Sequence, residues 1–210
     1  MKNTKQNILD TAKQLFNELG YSNVTIRMIA SRLGMSSGNL NYHFQKREDI
    51  LEALYFEMVA VFDERVSKFA PTEITFKIIQ TDIISSMGRM VDYRFFWTDL
   101  YHILKTNENI RSHFEKVKAD RLNGYQLLFK VLIQQDLLNK NSFKKEYEML
   151  GERMVDYSNT WLYASELYET TKAKNEVIHK AAFQLFSMMI PYMTTEGHLE
   201  CGALYPDFFS

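Results

Sequence analysis

The stretch TIRMIASRLGMSSGNLNYHF, residues 25 to 44, constrains this chain most. Ile26, Ile29, Ala30 and Leu33 recur at i, i+3, i+4 and i+7, so one helical face is apolar, and Thr25 precedes it as an N-cap. Gly34 follows the stripe and suits the left-handed position that ends a helix. Ser36 or Ser37 then caps a second helix, giving helix, tight glycine turn, helix. That second helix is barely two turns long, and isolated helices shorter than about 12 residues are marginal in water. It must be held by its neighbours and used for what it presents.

At 100° per residue with Leu40 at the centre of the buried face, Ser37 and Phe44 lie beside Leu40. Gly38 and Tyr42 point the opposite way, flanked by Asn39 and Asn41. Asparagine amides pair with an adenine edge, tyrosine hydroxyls reach phosphates, and a glycine lets backbone approach a ligand. These are the attributes of a DNA recognition helix.

Charge is distributed accordingly. The whole chain has a net charge of -1. Residues 1 to 50 carry seven Lys or Arg against four Asp or Glu, a net of +3, whereas residues 51 to 210 carry 18 against 22, a net of -4. With 210 residues, 46% hydrophobic and 14% aromatic, the chain has room for one or two globular domains and is not a disordered polymer. Cys201 is the single cysteine, which excludes an internal disulfide and disfavours a thiolate zinc site. No apolar h-region follows Lys2 and Lys5, and Leu185 to Met193 is interrupted by Ser187 and Pro191, so a cytoplasmic protein with no membrane partner is expected.

Helical periodicity runs through the rest. Ile8, Leu9, Ala12, Leu15, Phe16 and Leu19 form a stripe ending at Gly20. From QKRED onward, Ile50, Leu51, Leu54, Met58, Val61, Phe62 and Val66 mark a long helix that runs toward Pro71, with a boundary near 69 to 72. Further helices are expected at about 73 to 91, 94 to 105, 108 to 136, 143 to 168 and 174 to 195, with breaks at KTNEN and LNKNS. Gly88, Gly124 and Gly151 lie inside these helices, where each costs about 1 kcal/mol relative to Ala, and Pro191 kinks or ends the last. No segment alternates as a strand does. The expected fold is all-α with about nine helices: an N-terminal domain over 1 to 50, a connecting helix to about 70, and a helical domain over 71 to 210.

The run Thr25, Ile26, Arg27, Ile29, Ala30, Leu33, Gly34, Met35, Ser36, Gly38, Leu40, Tyr42, His43 and Phe44, followed by Lys46, resembles the DNA-binding domain of the tetracycline-repressor (TetR) family over residues 5 to 55. The resemblance implies an all-α homodimer on a palindromic double-stranded operator, with a helix-turn-helix at each N-terminus. It also implies a C-terminal domain that dimerises and binds a small effector, whose arrival moves the fourth helix and releases the DNA. Carried over by position, Thr25, Tyr42, His43 and Lys46 contact phosphates, with Arg27 and Ser36 in the same surface, and Ser37, Gly38, Asn39 and Asn41 lie where base or close backbone contacts occur. His43 is closer to the buried side than Tyr42. Asn41 stands where the family often has tyrosine.

Other readings are weighed against this one. Ser36, Ser37 and His43 lack an acid partner or oxyanion loop, so no enzyme is expected. His102, His113, His179 and His198 have no metal-ligand spacing, and neither metal nor cofactor is expected. Phe96, Trp97, Tyr101, Tyr125, Phe129, Met154, Tyr157 and Trp161 are either core or the lining of an effector pocket; their chemistry points to a mainly apolar effector. Ala181, Ala182, Leu185 and Met189 form a stripe with two small residues, which is either core or a dimer seam. The competing function is a helical small-molecule-binding or enzymatic protein that keeps a helix-turn-helix only as scaffold.

Overall fold

A computed structural model of the chain describes residues 4–68, 74–140, 145–169 and 171–206, without the side chains of 64–68. Among these residues the regular elements are all helical, and a lone antiparallel bridge joins Leu138 to Met193. The helices are α1 (Thr4–Leu19), α2 (Ile26–Arg32), α3 (Ser37–His43), α4 (Arg47–Lys68), α5 (Phe76–Asp92), α6 (Arg94–Thr98), α7 (Leu100–Thr106), α8 (Glu108–Gln134), α9 (Glu146–Tyr168), α10 (Lys174–Ser187) and α11 (Thr195–Leu204). Short 3-10 turns cover Tyr21–Asn23 and Ile190–Tyr192. The all-α expectation holds, with two more helices than the periodicity suggested. The expected starts at 73 and 143, the Pro71 boundary and the Val66 side chain fall outside what is described.

The chain divides into two compact units, Met1–Ala70 with Met90–His113, and Pro71–Arg89 with Phe114–Ser210. In the first unit, α1 buries Ile8, Leu9, Ala12, Leu15 and Phe16. The Phe16 ring meets Tyr21 edge-on at 5.2 Å and Phe95 at 5.2 Å. From α4, Ile50, Leu51, Leu54 and Met58 enter the same core, but its apolar stripe runs out at Val61, which is 38% exposed. The side chain of Asn17 donates to the Asp92 carbonyl at 2.9 Å and accepts from the Phe95 N–H at 3.1 Å, which fixes how the chain enters α6.

One helix was expected across 94 to 105. Instead α6 ends at Thr98 and α7 starts at Leu100, because the Asp99 backbone lies outside the helical region. The Asp99 carboxylate also accepts from the Ser22 N–H at 3.3 Å, an interaction that periodicity does not reveal.

In the second unit, Phe76, Ile79, Ile83, Phe129, Leu132, Leu150, Met154, Trp161, Ile178, Leu185 and Phe186 form the core. Phe76 and Phe186 pack perpendicular at 5.4 Å, and the Phe76 N–H donates to Glu200 at 2.6 Å. The expected helix over 174 to 195 stops at Ser187, and Pro191 sits in the following 3-10 turn. A separate helix, α11, then begins with Thr194 as its cap, the hydroxyl accepting from Gly197 N–H at 3.0 Å. Gly197 is required here, because a Cβ would lie 2.2 Å from the Leu137 carbonyl oxygen.

Candidate nucleic-acid interface

The α2–α3 turn is built as its residues dictate. Thr25 caps α2, its hydroxyl accepting from Met28 N–H at 3.3 Å. Gly34 adopts φ 66°, a conformation side chains disfavour, and its N–H donates to Ser31 O at 3.1 Å. Of the two candidate caps for α3, Ser36 serves, accepting from Asn39 N–H at 3.1 Å. Capping uses the oxygen of each hydroxyl as acceptor and leaves the O–H proton able to donate to a phosphate.

Leu40 is fully buried beneath α3 and Phe44 nearly so, with the Lys5 ammonium 5.2 Å above the Phe44 ring. Those anchors fix which face turns outward. Thr25, Arg27, Ser36, Gly38, Asn39, Asn41, Tyr42 and Lys46 are exposed, Tyr42 at 87%, while Ser37 and His43 are half-buried. The His43 ring stands edge-on to Tyr42 at 5.3 Å. All ten residues expected to meet DNA belong to one continuous segment, and eight of them are open to solvent.

Two adjacent cations at the start of α4 differ sharply. The Arg47 guanidinium donates to the carbonyls of Val24 at 3.0 Å and Tyr21 at 3.2 Å, and it stacks over the Tyr21 ring at 4.2 Å. It staples the loop before α2 to α4. Burial pushes the Tyr21 hydroxyl up to about 12, Arg47 beside it acting in the opposite sense. Lys46 points outward, its backbone N–H held by Asp49 at 3.1 Å. The sequence pair Lys46-Arg47 looks uniform, but only Lys46 is open to solvent.

The expected effector-pocket residues do not form a single group within either unit. Phe96 and Trp97 lie in the core of the first unit, where Phe96 packs 5.2 Å from Tyr55, and Tyr101 is 77% exposed. Tyr125, Phe129, Met154, Tyr157 and Trp161 belong to the second unit, with Tyr125 stacked on Phe129 at 5.9 Å. A groove of about 390 Å³ in that unit is lined by other residues: Gln80, Ile84, His179, Phe183, Leu204, Tyr205 and Pro206. Its α11 side was not legible because Thr195–Leu204 carries no apolar stripe.

The stripe read as core or dimer seam is core. Ala181, Ala182, Leu185 and Met189 are 4%, 2%, 4% and 0% exposed within the single chain, so they offer no surface to a partner. Among the described residues no group of three His, Cys, Asp or Glu is placed to hold a metal, and no helix is long and apolar enough to cross a membrane.

Comparison with known proteins matches the chain in two adjoining stretches. Residues 8–54 match the family described as bacterial regulatory proteins, tetR family, and residues 57–200 match the TetR bacterial transcriptional repressor family. The fatty acid metabolism regulator protein of Bacillus subtilis (strain 168) is 21% identical over 174 residues, covering 81% of this chain and 90% of that protein. A TetR-family transcriptional regulator from Marinobacter aquaeolei VT8 superposes with a TM-score of 0.86 at 22% identity, covering 98% of each chain. A transcriptional regulator from Saccharomonospora viridis in complex with choline gives 0.70 at 20% identity, over 89% of this chain and 97% of that one. These two superpositions speak to the fold alone. Because the repressor family match by itself spans more than half of the chain, and the helix-turn-helix match adjoins it, this chain belongs to the TetR family of DNA-binding transcriptional regulators.

Proposed function

We propose that the protein is a cytoplasmic, ligand-responsive repressor: a homodimer that holds a two-fold operator through α3 of each subunit and lets go when a mainly apolar small molecule binds the second unit. The observation that carries this reading is the outward face of α3, where Asn39, Asn41 and Tyr42 are exposed and Arg27 of α2 and Lys46, just before α4, add exposed cations. The Ser36 hydroxyl accepts the α3 capping bond and keeps its O–H proton for a phosphate oxygen, which fits a binding surface.

One recognition helix reads too few bases for a specific site, so two copies on a palindrome are expected. The surface for that pairing is the outward side of α9, where Met149, Tyr163 and Leu167 fall on one face at 53%, 50% and 54% exposure. Leu167→Asp should then yield a folded monomer in sedimentation, whereas Leu185→Asp would bury a charge in the core and unfold the chain.

The apolar effector is supported by the groove in the second unit, which Ile84, Phe183, Leu204, Tyr205 and Pro206 line together with two polar side chains, Gln80 and His179. It also agrees with the name of the Bacillus relative, which regulates fatty acid metabolism. Trp97 and Trp161, the only tryptophans, are buried and provide intrinsic fluorescence. Titrating a panel of acyl and aromatic compounds should change that fluorescence and weaken operator binding at the same midpoint, as linkage requires. Release by a polar cation such as choline, with the apolar panel silent, would replace this reading of the effector.

A further inference from the structure

Helix α3 reads SGNLNYH and contains no Arg, Lys, Asp, Glu or Gln. That restricts which base edges it can recognise. Guanine offers two acceptors in the major groove and is matched by the paired donors of Arg or Lys, while the cytosine amino group is matched by a carboxylate. Adenine offers an acceptor, N7, beside a donor, the N6 amino group. A carboxamide, with one donor and one acceptor, is its complement.

The two carboxamides of α3 are placed for this. Asn39 and Asn41 are both exposed, and among the described residues neither side chain has a hydrogen-bond partner; Asn39 contributes only its backbone N–H, to the Ser36 cap. They sit on opposite flanks of the outward face whose middle is Gly38 and Tyr42, so they address different base pairs. An asparagine side chain is short and reaches a base edge only if the helix backbone lies deep in the groove. Gly38 permits that depth: a Cβ there would meet nothing closer than the Ser36 hydroxyl at 3.9 Å, so the position is open and the missing side chain serves no packing need.

We infer that each operator half-site carries two adenines, one read by Asn39 and one by Asn41 on either side of the base pair beneath Gly38. This rests on the DNA-binding reading above and specifies its sequence class. Gly38 acts as a positioning residue that sets the depth of the helix.

The test is selection of duplexes from a random library by the full-length protein, followed by replacement of each enriched adenine with 7-deazaadenine, which lacks the N7 acceptor. The expected result is two adenines per half-site whose replacement weakens wild-type binding about tenfold. Asn39→Ala should be insensitive to one of these replacements and Asn41→Ala to the other. Gly38→Ala should leave thermal stability unchanged or raised, yet weaken binding to the selected site, because the new methyl group meets DNA and not protein. Half-sites with guanine at the positions that respond to Asn39→Ala or Asn41→Ala overturn the inference while the DNA-binding reading stands. Sensitivity to 7-deazaadenine that neither variant alters overturns it equally. Failure to retain any duplex overturns both.

Discussion

The Glu52 carboxylate on α4 accepts a hydrogen bond from the side chain of Asn107 at 2.9 Å, and Asn107 in turn caps α8, its Oδ1 accepting from Ile110 N–H at 2.9 Å. Asn109 donates to the other Glu52 oxygen at 3.0 Å. Asn107 is one of few buried polar residues, 8% exposed, so its loss removes a cap and leaves buried groups unpaired. Asn107→Ala should cost about 2 kcal/mol in urea unfolding. Glu52→Gln, which keeps an acceptor oxygen, should cost less. Equal stability of wild type and Asn107→Ala would show that the cap is not used.

Lys46 and Arg47 should separate binding from folding. Lys46→Ala leaves the fold intact and should flatten the dependence of log affinity on log salt by about one unit, the signature of one lost phosphate contact. Arg47→Ala removes the staple to Val24 and Tyr21 and should lower stability by about 2 kcal/mol through loss of charged hydrogen bonds. A salt slope unchanged by Lys46→Ala removes that residue from the interface.

Gly197 offers a steric test of α11. With a Cβ 2.2 Å from backbone oxygen, Gly197→Ala forces α11 away from Leu137 and should destabilise by more than about 2 kcal/mol, although Ala is the better helix former. A variant as stable as wild type would mean that α11 docks differently.

Alkaline pH probes the buried Tyr21 and Tyr55 and the half-buried Tyr147 and Tyr157. Burial raises Tyr21, Tyr55, Tyr147 and Tyr157 from the ordinary 10 to about 12. Between those values the folded chain keeps protons that the unfolded chain has released. The stability these residues confer is therefore complete below pH 10 and declines as pH rises through 12. Absorbance at 295 nm should show tyrosinate from these positions only late, together with unfolding. A single titration of every tyrosine around pH 10 in folded protein would contradict the burial.

The helix-turn-helix was legible because its signals are local. Caps lie one residue from the helices they start, Gly34 declares a backbone angle, and Leu40 fixes the orientation of a seven-residue helix. The signals that failed are those that depend on distant partners. Asp99 breaks a helix in a segment where Asn17 and Ser22 supply the partners. α11 is held by Glu200 against Phe76 and by Gly197 against Leu137, neither of which leaves a periodic trace. The stripe of Ala181, Ala182, Leu185 and Met189 has the same pattern whether it faces its own core or another chain, and only burial within the chain decides between them. Lys46 and Arg47 are alike as residues and differ only in what the fold places beside them.

The central claim is that α3 presents a sequence-reading surface to duplex DNA, and fluorescence anisotropy tests it most directly. The full-length protein is titrated into a labelled duplex from the region upstream of its own gene and into a scrambled duplex of equal length, at several salt concentrations. The account predicts affinity for the natural duplex at least about a thousandfold above the scrambled one, falling linearly on a log–log salt plot, with two chains bound per site. Equal affinity for the two duplexes, or none for either, would contradict it.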